Sequence, residues 1–199
     1  MNSISSHKSS NLSGNLIVPG DKSISHRSLI IGSLVNGRIE INNLLESEDV
    51  IATANALRIL GVQINKLNNK WEVFGSGIGN FYGSNYILNM GNSGTGARLL
   101  MGLIAGSDVE ATFIGDESLS KRPMKRITSP LKKTGATIGN QTNNLPIKIK
   151  GNKIVLPIEY ESSVPSAQVK SSILLAGLSS LGKTTVIEPT LSRDHTERM

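Results

Sequence analysis

The sequence predicts an α/β protein built on one repeated unit, and three observations carry that expectation. Strongly apolar helical segments recur at near-constant spacing. A short strand follows each of them. A second, more polar helix comes next each time, so the order of elements repeats together with the spacing.

The apolar helices are expected over residues 23–37, 93–106 and 166–177. Each opens on a serine, whose hydroxyl can cap the free N–H groups of a helix start. Each carries a basic residue about one turn in (Arg27, Arg98, Lys170) and reaches glycine near its end, where helices commonly stop. The closing glycines Gly37, Gly106 and Gly177 stand 69 and 71 residues apart. Apolar residues nearly surround these helices, which predicts deep burial. Strands are expected at 38–44, 109–114 and 183–187 from alternation or β-branching. The second helices are expected at 47–60, where Ser47 and Asp49 form an acidic start, and at 123–134, with Pro123 at the first helical position. Both lead through glycine into a strand, at 61–64 and 135–138. The third such helix opens at Ser192, and the sequence stops at Met199. The repeat therefore carries the expectation of a fragment whose natural chain continues.

With 199 residues and 38% hydrophobic residues the chain can bury a core of one or two domains. It has no cysteine, which excludes disulfides, thiolate metal sites and a cysteine nucleophile. The apolar runs at 99–105 and 173–178 are too short to span a membrane. The Ser- and Asn-rich start has no apolar stretch of a secretory signal, so a cytoplasmic location is expected. Lys and Arg number 21 against 15 Asp and Glu, a formal net charge of +6. Aromatics are only 4%, too few for a base-stacking platform, and no polybasic run occurs. Nucleic acid and membrane are therefore not expected partners. The charge lies in short clusters beside Gly, Ser and Thr, a distribution suited to small anions.

Five clusters carry that chemistry. In Pro19-Gly-Asp-Lys-Ser-Ile-Ser-His-Arg27 a turn feeds a helix start flanked by Lys22 and Arg27, and Ser23 can cap the helix or donate to a phosphate. In Gly91-Asn-Ser-Gly-Thr-Gly-Ala-Arg98 the glycines let backbone approach a ligand. In Ser118-Leu-Ser-Lys-Arg-Pro-Met124 the proline holds Arg122 extended, so that it projects forward as an oxyanion clamp. Ser166-Ala-Gln-Val-Lys170 offers neutral donors at a helix start. In Ser192-Arg-Asp-His-Thr-Glu-Arg-Met199, Arg193 can reach an anion and Asp194 can cap. Each alone is equally an ordinary capped helix or a solvated basic face. His26 and His195 read as structural hydrogen-bonders, and no ligand spacing for a metal is present.

In this order, the five clusters resemble the amino-terminal half of the 5-enolpyruvylshikimate-3-phosphate (EPSP) synthase family, the 3-phosphoshikimate 1-carboxyvinyltransferases. Residues 94–98, 112–116 and 192–199 read like its class II branch. The resemblance implies an inside-out α/β prism of two lobes, each holding three βαβαββ units. Residues 1–19 would pack with the other lobe, and 20–199 would form the first lobe with its third unit truncated. It further implies transfer of an enolpyruvyl group from phosphoenolpyruvate to the 5-hydroxyl of 3-phosphoshikimate, releasing phosphate, in the shikimate pathway to chorismate and the aromatic amino acids. No metal or organic cofactor is implied, and the full-length protein would be a monomer.

Residue by residue, the resemblance makes Lys22 the catalytic residue, touching both substrates. It gives 3-phosphoshikimate to Ser23, Arg27, Ser166, Ala167, Gln168 and Arg193. It gives phosphoenolpyruvate to Gly94, Arg122 and Gln168, with Asn92, Thr95 and Arg98 supporting that loop. The principal acid/base carboxylate would belong to the other lobe, so the fragment alone is expected to be inactive. Two alternatives are a related transferase acting on UDP-N-acetylglucosamine, whose usual reactive cysteine is missing here, and a noncatalytic module binding anions or nucleic acid.

Overall fold

A computed structural model describes residues 3–68, 70–139 and 143–199. The first run of elements is α1 (Lys22–Leu34), β1 (Asn36–Asn42), α2 (Glu48–Ile59), β2 (Gln63–Leu67) and β3 (Lys70–Ser76). Its sheet is antiparallel in the order β1-β3-β2. The second run is β4 (Tyr82–Asn89), α3 (Gly94–Ala105), β5 (Asp108–Ile114), α4 (Glu117–Ser120), α5 (Lys125–Lys133), β6 (Thr137–Gly139) and β7 (Ile147–Lys150). Its sheet has the order β4-β5-β7-β6. The β4–β5 pair is parallel, as a strand–helix–strand crossover requires, and the other pairs are antiparallel. The third run is β8 (Glu159–Glu161), α6 (Ala167–Gly177), β9 (Thr185–Ile187) and α7 (His195–Arg198), with β8 parallel to β9.

The apolar helices α1, α3 and α6 lie inside. Every residue of α3 except Thr95 is buried, and α3 packs against α1, α2, α5 and α6. The sheets cover this bundle and turn alternate residues outward, as in β7, where Ile147 and Ile149 are buried and Lys148 and Lys150 exposed. That is the inside-out arrangement, with the mostly apolar α3 at the centre and half-polar strands at the surface. Close packing of α3 on α6 needs a glycine. A Cβ on Gly102 would stand 2.2 Å from the carbonyl oxygen of Ser172.

Several local expectations are corrected. Asp21, and not Ser23, caps α1, its carboxylate accepting the Ile24 N–H at 2.8 Å. The chain leaves α1 at Val35, in an extended conformation, and Gly37 (φ 137°) lies within β1. Pro123 does not start the second polar helix. Asp116 caps the short α4 through the Leu119 N–H, and α5 begins only at Lys125. Asp194 occupies the cap position of α7 without a side-chain capping bond. Strands β3, β4, β7 and β8 add to those read from the sequence. Residues 3–19 contain no helix or strand and leave Leu12, Leu16 and Ile17 exposed; Met1 and Asn2 of that segment lie outside the described residues.

Candidate active site

The starts of α1, α3 and α6 open on one mouth made of two adjoining hollows. The smaller, of about 330 Å³, is lined by Lys22, Ser23, Asp49, Asn92, Gly94, Thr95, Arg98, Arg122 and Gln168. The larger, of about 440 Å³, is lined by Ser23, Arg27, Thr95, Pro165, Ser166, Ala167, Gln168, Ser192, Arg193 and His195. Ser23, Thr95 and Gln168 border both. Every residue singled out from the five sequence clusters as a ligand contact or loop support thus lines one hollow or the other, although the clusters span residues 19–199.

In the smaller hollow the glycine-rich turn does two things. Ser93 caps α3 by accepting the Gly96 N–H at 3.2 Å. Gly94, lacking a Cβ, leaves room for two guanidinium groups. A Cβ there would stand 3.2 Å from an Arg122 Nη and 3.5 Å from an Arg98 Nη. Arg122 donates to Asn92 Oδ1 and to Ser118 Oγ, which joins the second and third sequence clusters. Arg98 donates to Gln168 Oε1, and Gln168 in turn donates to Thr95 Oγ1 at 2.9 Å. Arg98 is only 6% exposed, and its Nε has no partner among the described residues. Burial, then the charges of Arg126 and Arg122, lower its pKa to about 10, so it stays cationic at neutral pH. Neither Arg98 nor Arg122 forms an ion pair among the described residues. A buried cation of this kind is costly until an anion joins it.

Lys22 is paired instead with Asp49 of α2, Nζ to Oδ2 at 2.9 Å. The sequence reading took Asp49 as a complement to the α2 dipole. Its place beside Lys22, 27 positions away, comes from the packing of α1 on α2. Both members of the pair line the smaller hollow.

In the larger hollow Ser166 caps α6, accepting the Val169 N–H at 3.5 Å. Arg27 is 3% exposed and committed to the protein, donating to Thr196 Oγ1 at 2.7 Å, Ser171 Oγ at 2.9 Å and the Ser23 carbonyl at 3.0 Å. Arg193 sits exposed at the rim. Thr196 and Ser171 were not singled out from sequence. Both are neutral, and only the fold brings them to Arg27.

His26 stands behind Lys22, fully buried, with Nδ1 2.8 Å from Thr53 Oγ1. Burial is the main cause that lowers its pKa from 6.5 to about 4. The folded protein therefore keeps this ring neutral down to about pH 4, whereas the unfolded chain protonates it near 6.5. Between those values the unfolded state binds more protons, so stability falls as the pH falls. Each pH unit in this window is worth about 1.4 kcal/mol. His26→Gln is expected to flatten the slope of unfolding free energy between pH 6.5 and 4, read by denaturant titration. An unchanged slope would assign the acid sensitivity to other groups.

Buried helices, covering sheets and helix starts gathered around one basic mouth define an inside-out α/β prism fold. The family profile of EPSP synthase (3-phosphoshikimate 1-carboxyvinyltransferase) matches residues 6–199. The chain belongs to that family. It is 53% identical over 199 residues to a 3-phosphoshikimate 1-carboxyvinyltransferase of Rhodospirillum rubrum, covering 97% of this chain and 44% of the relative. It is 52% identical to that of Bartonella quintana, covering 98% and 45%. The solved EPSP synthase of Acinetobacter baumannii superposes with a TM-score of 0.87 at 44% identity, covering 93% of this chain and 42% of that one. The chain thus spans about half the length of the relatives it matches. Among the described residues no helix is long and apolar enough to cross a membrane.

Proposed function

We propose that this chain is the 3-phosphoshikimate-binding lobe of an enzyme that moves the enolpyruvyl group of phosphoenolpyruvate to the 5-hydroxyl of 3-phosphoshikimate and releases phosphate. The observation that carries the reading is the pair Arg98 and Arg122, crowded over Gly94, in no ion pair among the described residues, and opening into the same hollow as Lys22 and Gln168.

In this reading phosphoenolpyruvate lies over Gly94 in the smaller hollow, with Arg122 as its oxyanion clamp. Arg98 adds field from behind and orients Gln168, while Asn92 and Thr95 hold the loop and the amide in place. The phosphate of 3-phosphoshikimate lies in the larger hollow at the start of α6, held by Ser166, Gln168, the backbone of Ala167 and Arg193. Arg27, held from within, shapes that wall and supplies charge. Ser23 and Gln168 border both hollows, so the seam between them is where the 5-hydroxyl meets C2 of the enolpyruvyl group. Lys22, backed by Asp49, assists proton transfer there. The chemistry requires no metal or organic cofactor. Residues 1–19, in which Leu12, Leu16 and Ile17 are exposed, pack against a second lobe that supplies the principal acid/base carboxylate, in a cytoplasmic, monomeric protein.

Calorimetric titration of the chain tests this. Saturable binding of 3-phosphoshikimate is expected, with shikimate, which lacks the phosphate, bound more weakly by at least about tenfold, since charge-assisted hydrogen bonds contribute about 1.5–3 kcal/mol each. Equal affinities for the two, or no binding of either, would refute the assignment.

A further inference from the structure

The three repeated helices each carry a basic residue about one turn in, but the third uses it differently. Arg27 and Arg98 make no ion pair among the described residues, whereas Lys170 has two carboxylate partners. Its Nζ donates to Glu188 Oε2 at 2.7 Å and to Glu197 Oε1 at 2.7 Å. The Lys170 side chain is 9% exposed and that of Glu188 6%, while Glu197 keeps 35%. Burial opposes charging of Lys170, and the hydrogen bonds it donates to Glu188 and Glu197, with their charges, outweigh it and raise its pKa.

Glu188 reaches further. It accepts the Ser166 N–H at 3.2 Å, the Ser192 hydroxyl at 2.6 Å and the Ser192 N–H at 3.4 Å. One buried carboxylate thus holds both the cap of α6 and the residue beside Arg193. Glu197 lies in α7, a helix of four residues with none buried. Besides Lys170, the bonds of Thr196 to Arg27 and Ser171 hold α7 in place.

We propose that Lys170 is a positioning residue, which ties α6 to the 188–197 segment through Glu188 and Glu197 and so sets where Ser166, Ser192 and Arg193 stand around the larger hollow. The proposal rests on the reading of that hollow as the 3-phosphoshikimate site. Lys170 itself takes no anion, because two carboxylates already neutralise it. Its effect on the ligand is indirect, through the spacing of groups on two separate segments.

The test compares Glu197→Gln, Lys170→Met and Lys170→Arg in the 199-residue chain. Hydrogen exchange of residues 189–198 reads the segment, and calorimetry with 3-phosphoshikimate reads the hollow. Glu197→Gln removes the half-exposed link alone. It is expected to speed exchange in the segment about tenfold and weaken 3-phosphoshikimate about tenfold, the loss of one charge-assisted bond. Exchange in α3 should stay native. Lys170→Met is expected to do more and Lys170→Arg to restore part of it. Should Lys170→Met fail to fold, Glu197→Gln decides. Native exchange in Glu197→Gln, or a loosened segment with unchanged affinity, overturns the proposal. Failure of the native chain to bind 3-phosphoshikimate would instead refute the functional reading, and the exchange data would still confirm or refute the tie between the segments.

Discussion

Arg122→Ala, in an active full-length enzyme carrying this lobe, is expected to lower kcat/KM for phosphoenolpyruvate on the order of tenfold to a hundredfold or more. Charge-assisted hydrogen bonds contribute about 1.5–3 kcal/mol each, and a clamp that strengthens as charge develops loses that in the transition state. Arg122 is aimed by Asn92 and Ser118 at the hollow over Gly94, so the loss is local and directional. Lys22→Ala should be at least as damaging, because it removes a cation of the hollow and leaves Asp49 without its ion-pair partner. Lys125→Ala, exposed at the start of α5, should change little. Steady-state kinetics with both substrates decides the matter. Equal losses at Arg122 and Lys125 would mean that the basic cluster acts as a diffuse field, with no clamp.

Gly102→Ala is expected to destabilise the fold by about 3 kcal/mol, at the upper end of ordinary overpacking. The added Cβ would stand 2.2 Å from the carbonyl oxygen of Ser172 and 2.8 Å from its carbonyl carbon. Those are backbone atoms, so α6 itself has to move, and with it the α6 start that lines the larger hollow. Gly32→Ala is the internal control. In the same type of buried helix its Cβ would meet Val73 at 3.6 Å, ordinary contact. Replacing a helical glycine there should be neutral or stabilising by about 0.5–1 kcal/mol. Denaturant unfolding of the two variants separates the effects. Equal, small changes would show that the α3–α6 contact is soft.

Particular residues show where sequence reading ends. Ser93 and Ser166 cap α3 and α6 as expected, because a cap bond spans three residues and is written in local order. At the α1 start the sequence suggested Ser23 as the cap, and the backbone path makes it Asp21, two positions earlier. β7 was legible in principle, since Ile-Lys-Ile-Lys alternates strictly. β4 was not, because Gly83 and Asn85 interrupt its pattern at a register shift and most of its residues are exposed.

By itself the sequence determined the repeated apolar helices, the five basic or hydroxylated clusters and, through their order, the family. All of these are short-range patterns, set by helix and strand periodicity and by capping chemistry. The tertiary structure alone decided which charges meet. It set Asp49 against Lys22, left Arg98 and Arg122 without carboxylates among the described residues, and closed Lys170 between Glu188 and Glu197. The physical reason is distance along the chain. Partners up to 27 residues apart in these pairs are chosen by how buried helices settle on one another, and nothing in local periodicity encodes that.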